Sequence, residues 1–156
     1  MTTTTLIGVV GAGTMGRGIA QIAATAGHPV LLLDQDEAAL SHAKEGLNRI
    51  FARLIEKGRM DTRTAEAILS RITTSTRIED LSAAGLVLEA IVEKAEVKAA
   101  LFQSLEKIVA PDAVLATNTS SLSVTGLAAS LQHPERFIGL HFFNPAPLLP
   151  LVEVVP

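Results

Sequence analysis

Cysteine, tryptophan and tyrosine are all missing from this chain of 156 residues, and its aromatic side chains amount to five phenylalanines. Without cysteine there is no disulfide framework and no thiolate chemistry, a composition that fits a cytoplasmic protein. With so few aromatics there is no platform on which bases could stack. The 13 basic residues are dispersed within a net charge of −3, so a nucleic-acid partner is excluded. No stretch reaches the roughly 18 consecutive apolar residues that a membrane span needs, and no membrane partner is expected. The first five residues, MTTTT, lack the basic segment of a signal peptide and read as a frayed end. What remains is 48% apolar and 19% charged, the balance of a globular domain long enough to bury one sizeable core.

Glycine is where the information concentrates. Gly11, Gly13 and Gly16 form a G-x-G-x-x-G turn within residues 6–34, LIGVVGAGTMGRGIAQIAATAGHPVLLLD. Leu6, Ile7, Val9 and Val10 lead into it as a strand, Ile19, Ile22 and Ala23 continue it as a helix, and residues 30–33 return as a buried strand. In that setting the spacing serves a tight turn, a backbone approach to pyrophosphate without Cβ, and close helix–strand packing. Thr14 and Met15 fall at the helix start, whose free N–H groups suit phosphate. Asp34, 23 positions after Gly11, stands where an acid accepts hydrogen bonds from an adenosine ribose. It would repel a 2′-phosphate and no arginine follows it closely, so NAD, not NADP, is the expected cofactor. The competing reading is a βαβ turn that holds no phosphate.

Beyond Asp34, Leu40, Ala43, Leu47, Ile50, Leu54 and Ile55 recur at helical spacing and predict an amphipathic helix over residues 36–57. Gly58 is placed to end it, and Asp61 to cap a second helix running through residue 68. The charges of this hairpin read as a solvated face. Strands are expected over residues 72–74, 86–91, 114–117, 137–142 and 151–155, with helical segments at 78–84, 94–109 and 124–131. Alternation of this kind implies an α/β fold, a doubly wound and mainly parallel sheet of the Rossmann type, with a helical hairpin inserted after the second strand. Ligands of such sheets bind beyond the carboxyl ends of the strands, which gives weight to polar residues just past those ends.

Three residues meet that criterion: Ser120 after one strand, His141 within FIGLHFF, and Glu153 within LVEVV. A lone histidine in an apolar strand reads equally as a core residue. Glu153 alters the balance, because a carboxylate flanked by Leu151, Val152, Val154 and Val155 costs several kcal/mol to bury unpaired. His141, on the preceding strand, is its nearest plausible partner. The pair would fix the imidazole in one tautomer as a base near neutral pH, which beside a nicotinamide is equipment for alcohol oxidation.

The segments GVVGAGTMGRGIA, LVLEAIVEKAEVKAALF, LATNTSSLSVTGLA and RFIGLHFFNPAPLLPLVEVV resemble the NAD-binding domain of the L-3-hydroxyacyl-CoA dehydrogenases, including bacterial 3-hydroxybutyryl-CoA and 3-hydroxyadipyl-CoA members. The resemblance covers nearly the whole chain. It implies NAD-dependent interconversion of (S)-3-hydroxyacyl-CoA and 3-oxoacyl-CoA, as in fatty acid β-oxidation, without a metal. It also implies His141 as general base, Glu153 as the carboxylate that orients it, and Ser120 as a hydrogen-bond partner of the substrate oxygen. Glu93, Lys98, Ser120 and Asn144 would join Gly11, Gly13, Thr14, Met15, Gly16 and Asp34 in the cofactor site. Lys57 matches a lysine that contacts CoA phosphates, although Ile50 stands where some members have a serine contact. Family members continue into a helical domain that closes over the acyl-CoA and makes a homodimer. Residues 1–156 are read as the NAD-binding domain without that part, able to bind NAD but poor in turnover. Two other readings share the glycine turn: a non-catalytic NAD-binding relative, and a 3-hydroxy acid dehydrogenase that does not use CoA.

Overall fold

Four short apolar strands form the middle of the sheet: β1 (Ile7–Val10), β2 (Val30–Leu33), β4 (Leu86–Glu89) and β5 (Val114–Thr117). In the computed structural model, which describes residues 4–148 and 152–156, they are joined by β3 (Ile72–Ser75), β6 (Phe137–Phe142) and β7 (Val152–Val155). The order is β3-β2-β1-β4-β5-β6-β7, parallel throughout except for β7, which runs antiparallel to β6. The chain reverses its direction of winding between β1 and β4. A crevice opens there, beyond the carboxyl ends of both strands.

Alternation along each strand supplies the two cores. Val9, Leu32, Leu88 and Ala116 face one layer, made by α1 (Thr14–Thr25), α2 (Glu37–Glu56) and α3 (Thr62–Ser70). Val10, Leu31, Leu33, Val87 and Leu115 face the other, made by α4 (Ala95–Ile108) and α5 (Val124–Ala128). Phe102 of α4 meets Phe137 of β6 edge to face, ring centroids 4.7 Å apart, closing the second core. With both faces covered, the strands can be continuously apolar.

The expected hairpin is present. Asp36 caps α2 by accepting from the Ala38 N–H at 2.9 Å, Gly58 leaves the helix at φ +70°, and Asp61 caps α3 by accepting from Thr64 N at 2.7 Å. Three expected elements are shorter, one of them the helical segment expected over 78–84, which is a single turn ending at Leu81. The strand expected over 86–91 ends at Glu89, whose carboxylate accepts the N–H of Ile91 and draws the chain out of the ladder. The helix expected over 124–131 ends at Ala128, after which Ser130 bonds back to the Leu127 carbonyl. The expectations for residues 1–3 and for Leu151 lie outside the described residues. No helix of the described residues is long and apolar enough to cross a membrane.

Candidate active site

The glycine turn is shaped by contacts that only hydrogen can occupy. Gly11 has φ +107°, and a Cβ there would lie 2.5 Å from the Ala90 carbonyl oxygen at the end of β4. A Cβ on Gly16 would lie 1.6 Å from the carbonyl oxygen of Gly11. Gly13, the residue that caps α1, has open space where its Cβ would be. No side chain caps α1 and no acid lies in its first turn, so its first N–H groups point unpaired into the crevice. An uncapped helix start with an open glycine fits an anionic ligand, and a pyrophosphate satisfies those donors.

At the end of β2, Asp34 accepts from Ala12 N and Asp36 N, each at 2.9 Å, one on each carboxylate oxygen. The acid thereby holds the glycine turn against β2, and each oxygen keeps a further lone pair for a ribose hydroxyl. Gly11, Gly13 and Asp34 line one cleft of about 1090 Å³, together with Arg77, Ile78 and Leu101.

A smaller pocket of about 300 Å³ lies beyond β4 and β5. Met15, Glu93, Lys98, Ser120, His141 and Asn144 all line it, so six of the predicted positions are brought together although they are spread over four stretches of the chain. Thr14 sits exposed at the start of α1, while Gly16 is buried within the turn itself. Lys57 is exposed at the end of α2 and borders neither cavity.

The pocket wall is tied down by a polar network. Glu93 accepts from Thr119 Oγ1 at 2.8 Å and Ser121 Oγ at 3.0 Å, fastening the NTSS turn to the loop after β4. Asn118 accepts from Phe142 N at 2.8 Å and fastens the same turn to β6. Lys98 is only 1% exposed. It reaches Glu93 at 2.9 Å and Glu89 at 2.5 Å. Glu89, the fully buried acid at the end of β4, also accepts from Thr117 Oγ1. Glu89, Thr117, Thr119 and Asn118 were not singled out by the sequence reading. The available signal was Glu89 itself, an acid in an otherwise apolar run that must find a cation.

His141 and Glu153 face each other as register partners across β6 and β7. The expectation of a buried carboxylate is corrected here: Glu153 is exposed, and among the described residues no hydrogen bond or ion pair joins it to His141. The cause is its place on an edge strand, where Val152 and Val154 are exposed as well, so water solvates the carboxylate and burial does not force a pair. The imidazole packs instead against Phe143, ring centroids 4.5 Å apart.

Desolvation alone would raise the Glu93 carboxyl, but hydrogen bonds from Lys98, Thr119 and Ser121 and the charge of Lys98 outweigh it and hold the group at about 2. A carboxyl held below its unfolded value of 4.5 contributes stability in full above that pH, and the contribution is lost as the pH falls toward about 2. The side chain is 40% exposed, so solvent screening keeps the effect modest. Urea unfolding from pH 5 down to pH 2 is expected to show a smaller loss of stability in Glu93→Gln than in the unaltered protein. Equal loss in both would remove Glu93 from the acid response.

Residues 6–156 match the family model described as 3-hydroxyacyl-CoA dehydrogenase, NAD binding domain. The chain is 48% identical over 149 residues to a 3-hydroxyadipyl-CoA dehydrogenase of Escherichia coli, covering 96% of this chain and 31% of that protein. It is 45% identical over 148 residues to a probable 3-hydroxybutyryl-CoA dehydrogenase of Deinococcus radiodurans, covering 95% of this chain and 53% of that one. The crystal structure of 3-hydroxybutyryl-CoA dehydrogenase from Escherichia coli K12 superposes with a TM-score of 0.95 at 46% identity, over 98% of this chain and 32% of the other. The chain thus spans between about a third and about half of the relatives it matches.

Proposed function

Because the chain belongs to the family of 3-hydroxyacyl-CoA dehydrogenase NAD-binding domains, we propose that it is the cofactor-binding part of an oxidoreductase that interconverts (S)-3-hydroxyacyl-CoA and 3-oxoacyl-CoA. The observation that carries the reading is the convergence of Ser120, His141, Asn144, Glu93 and Lys98 on one pocket beside the uncapped start of α1. Gly11, Gly13, Thr14, Met15 and Gly16 hold the pyrophosphate, Asp34 the adenosine ribose, and Glu93, Lys98, Ser120 and Asn144 the nicotinamide end. NAD, when bound, supplies the acceptor or donor of hydride.

The chain's own residues handle the oxygen and its proton. His141 Nε2 or Nδ1 takes the proton of the 3-hydroxyl in oxidation and returns it in reduction. Glu153, across the ladder from His141, steadies the cationic ring that results. The Ser120 hydroxyl donates to the substrate oxygen as charge develops on it. Lys57 is assigned, on resemblance, to the phosphates of CoA. The intact protein is read as a cytoplasmic homodimer, joined through the helical domain that the resemblance implies. The two readings without acyl-CoA turnover lose ground because the matched relatives are named as 3-hydroxyadipyl-CoA and 3-hydroxybutyryl-CoA dehydrogenases.

A substrate panel tests the reading. The intact protein should consume NADH with acetoacetyl-CoA, longer 3-oxoacyl-CoAs or 3-oxoadipyl-CoA, and at least tenfold more slowly with the corresponding free 3-oxo acids, since the CoA portion contributes binding energy to the reaction. Equal rates on free acids and thioesters would sink it.

A further inference from the structure

A group of charges lies directly behind the small pocket, and the reaction scheme leaves its innermost member without a task. Glu89 has no exposed surface and Lys98 has almost none. Every partner of the Glu89 carboxylate is a donor: Thr117 Oγ1 on one oxygen, and on the other Ile91 N at 2.8 Å and Lys98 Nζ at 2.5 Å. Three donors converge on its two oxygens, and one of them is the Lys98 ammonium, the arrangement of a buried ion pair. Lys98 shares its ammonium with Glu93, the second carboxylate, at 2.9 Å. Two carboxylates around one ammonium leave one negative charge in excess. The share carried by Glu93 is open to water, whereas that of Glu89 is sealed from it.

Lys98 and Glu93 are wall residues of the pocket assigned above to the nicotinamide, and Glu89 is one hydrogen bond behind them. A nicotinamide ring is cationic when oxidised and neutral when reduced. A fixed negative charge in a water-poor wall therefore stabilises one form more than the other.

We propose that Glu89 is a positioning residue that sets the redox preference of the pocket: it fixes Lys98 in the wall and leaves the cluster one negative charge, favouring the oxidised cofactor over the reduced. The inference rests on the assignment of the nicotinamide to this pocket and goes beyond it. It makes a residue that touches neither substrate nor cofactor a determinant of how tightly NAD⁺ is held relative to NADH.

Glu89→Gln separates charge from geometry. The amide oxygen can keep the donors Ile91 N and Lys98 Nζ, and the amide nitrogen can face Thr117, whose hydroxyl turns to accept. Dissociation constants for NADH, followed by its own fluorescence, and for NAD⁺, by competition, are to be measured on the intact protein. In E89Q the ratio Kd(NADH)/Kd(NAD⁺) is expected to fall about tenfold. Thr117→Val removes a hydrogen bond but no charge, and its ratio should stay within about twofold of the original. The double variant E89Q/K98M replaces a buried ion pair by neutral groups, which folded proteins tolerate better than half a pair. It removes the sealed charge and leaves only that of Glu93, which water screens, so its ratio should fall as in E89Q even if both affinities weaken.

An unchanged ratio in E89Q, or an equal shift in T117V, makes Glu89 purely structural and overturns the proposal. If E89Q alone does not fold, an unchanged ratio in the double variant overturns it equally. Failure of the unaltered protein to bind either cofactor would instead strike at the assignment of the nicotinamide pocket.

Discussion

Replacing His141 by alanine in the intact protein is expected to lower kcat for 3-oxoacyl-CoA reduction by about a thousandfold, in the range that loss of a positioned acid–base group produces. NADH affinity should change by less than about twofold, because acid–base work in the transition state is separate from ground-state cofactor binding. The structure makes the two readouts separable. His141 is half-buried near the end of β6, its imidazole makes no hydrogen bond among the described residues, and it leans on Phe143 across a ring separation of 4.5 Å. Alanine there removes a modest apolar contact and leaves the Glu93 and Asp34 anchors of the cofactor site intact. A histidine that served the fold would lower the melting temperature and NADH affinity together, with activity following them. That pattern would remove His141 from the chemistry.

The second large effect belongs to the glycine turn, where neighbouring glycines should fail in different ways. Gly16→Ala places a Cβ at 1.6 Å from the Gly11 carbonyl oxygen, a separation near that of a covalent bond. The turn must open, moving α1 away from β1, and the contacts of Ile19, Ala20 and Ala23 in the first core move with it. A loss of about 3 kcal/mol or more is expected from such overpacking, and with the N–H groups of α1 misaimed, NADH binding should become undetectable. Gly13→Ala meets nothing within 4 Å and should leave the melting temperature unchanged. Its methyl nevertheless fills the space that a pyrophosphate would approach, so NADH affinity alone should fall. Unfolding of Gly13→Ala, or near-normal NADH binding by Gly16→Ala, would contradict this account of the turn.

The contrast marks how far residue pattern alone reaches. The turn, Asp34, the capped hairpin and the strand boundaries of β2, β5 and β6 were legible because each is local: backbone conformation, capping and periodicity within a few residues decide them. Of the six residues of the small pocket, Ser120 and His141 were legible from their places near strand ends and Met15 from the helix start, whereas Glu93, Lys98 and Asn144 were reached only through the resemblance. Their convergence depended on a strand order that local pattern does not contain. The burial of Lys98 was not legible, because a lysine near the start of an amphipathic helix ordinarily reaches water. Here α4 packs on the face of β4 that carries Glu89, and the ammonium turns inward to meet it. Glu153 was misread in the opposite sense. Apolar neighbours suggested burial, but β7 lies at the edge of the sheet, where two valines are exposed beside it.

The position of Glu89 has a further consequence for how the strands find one another. It lies two residues after Val87 and so faces the layer of α4, while Leu88 faces the layer of α1 to α3. A slip of β4 by a single residue against β1 would exchange the two faces. For the apolar residues such a slip trades one hydrocarbon layer for another at little cost. For Glu89 it would drive a carboxylate among the alanines, leucines and phenylalanine of the first core, where no buried ammonium waits among the described residues. The central strands are short and nearly featureless on their own. This one acid makes their alignment unambiguous, so the residue behind the cofactor pocket also specifies the register of the sheet on which the pocket is built.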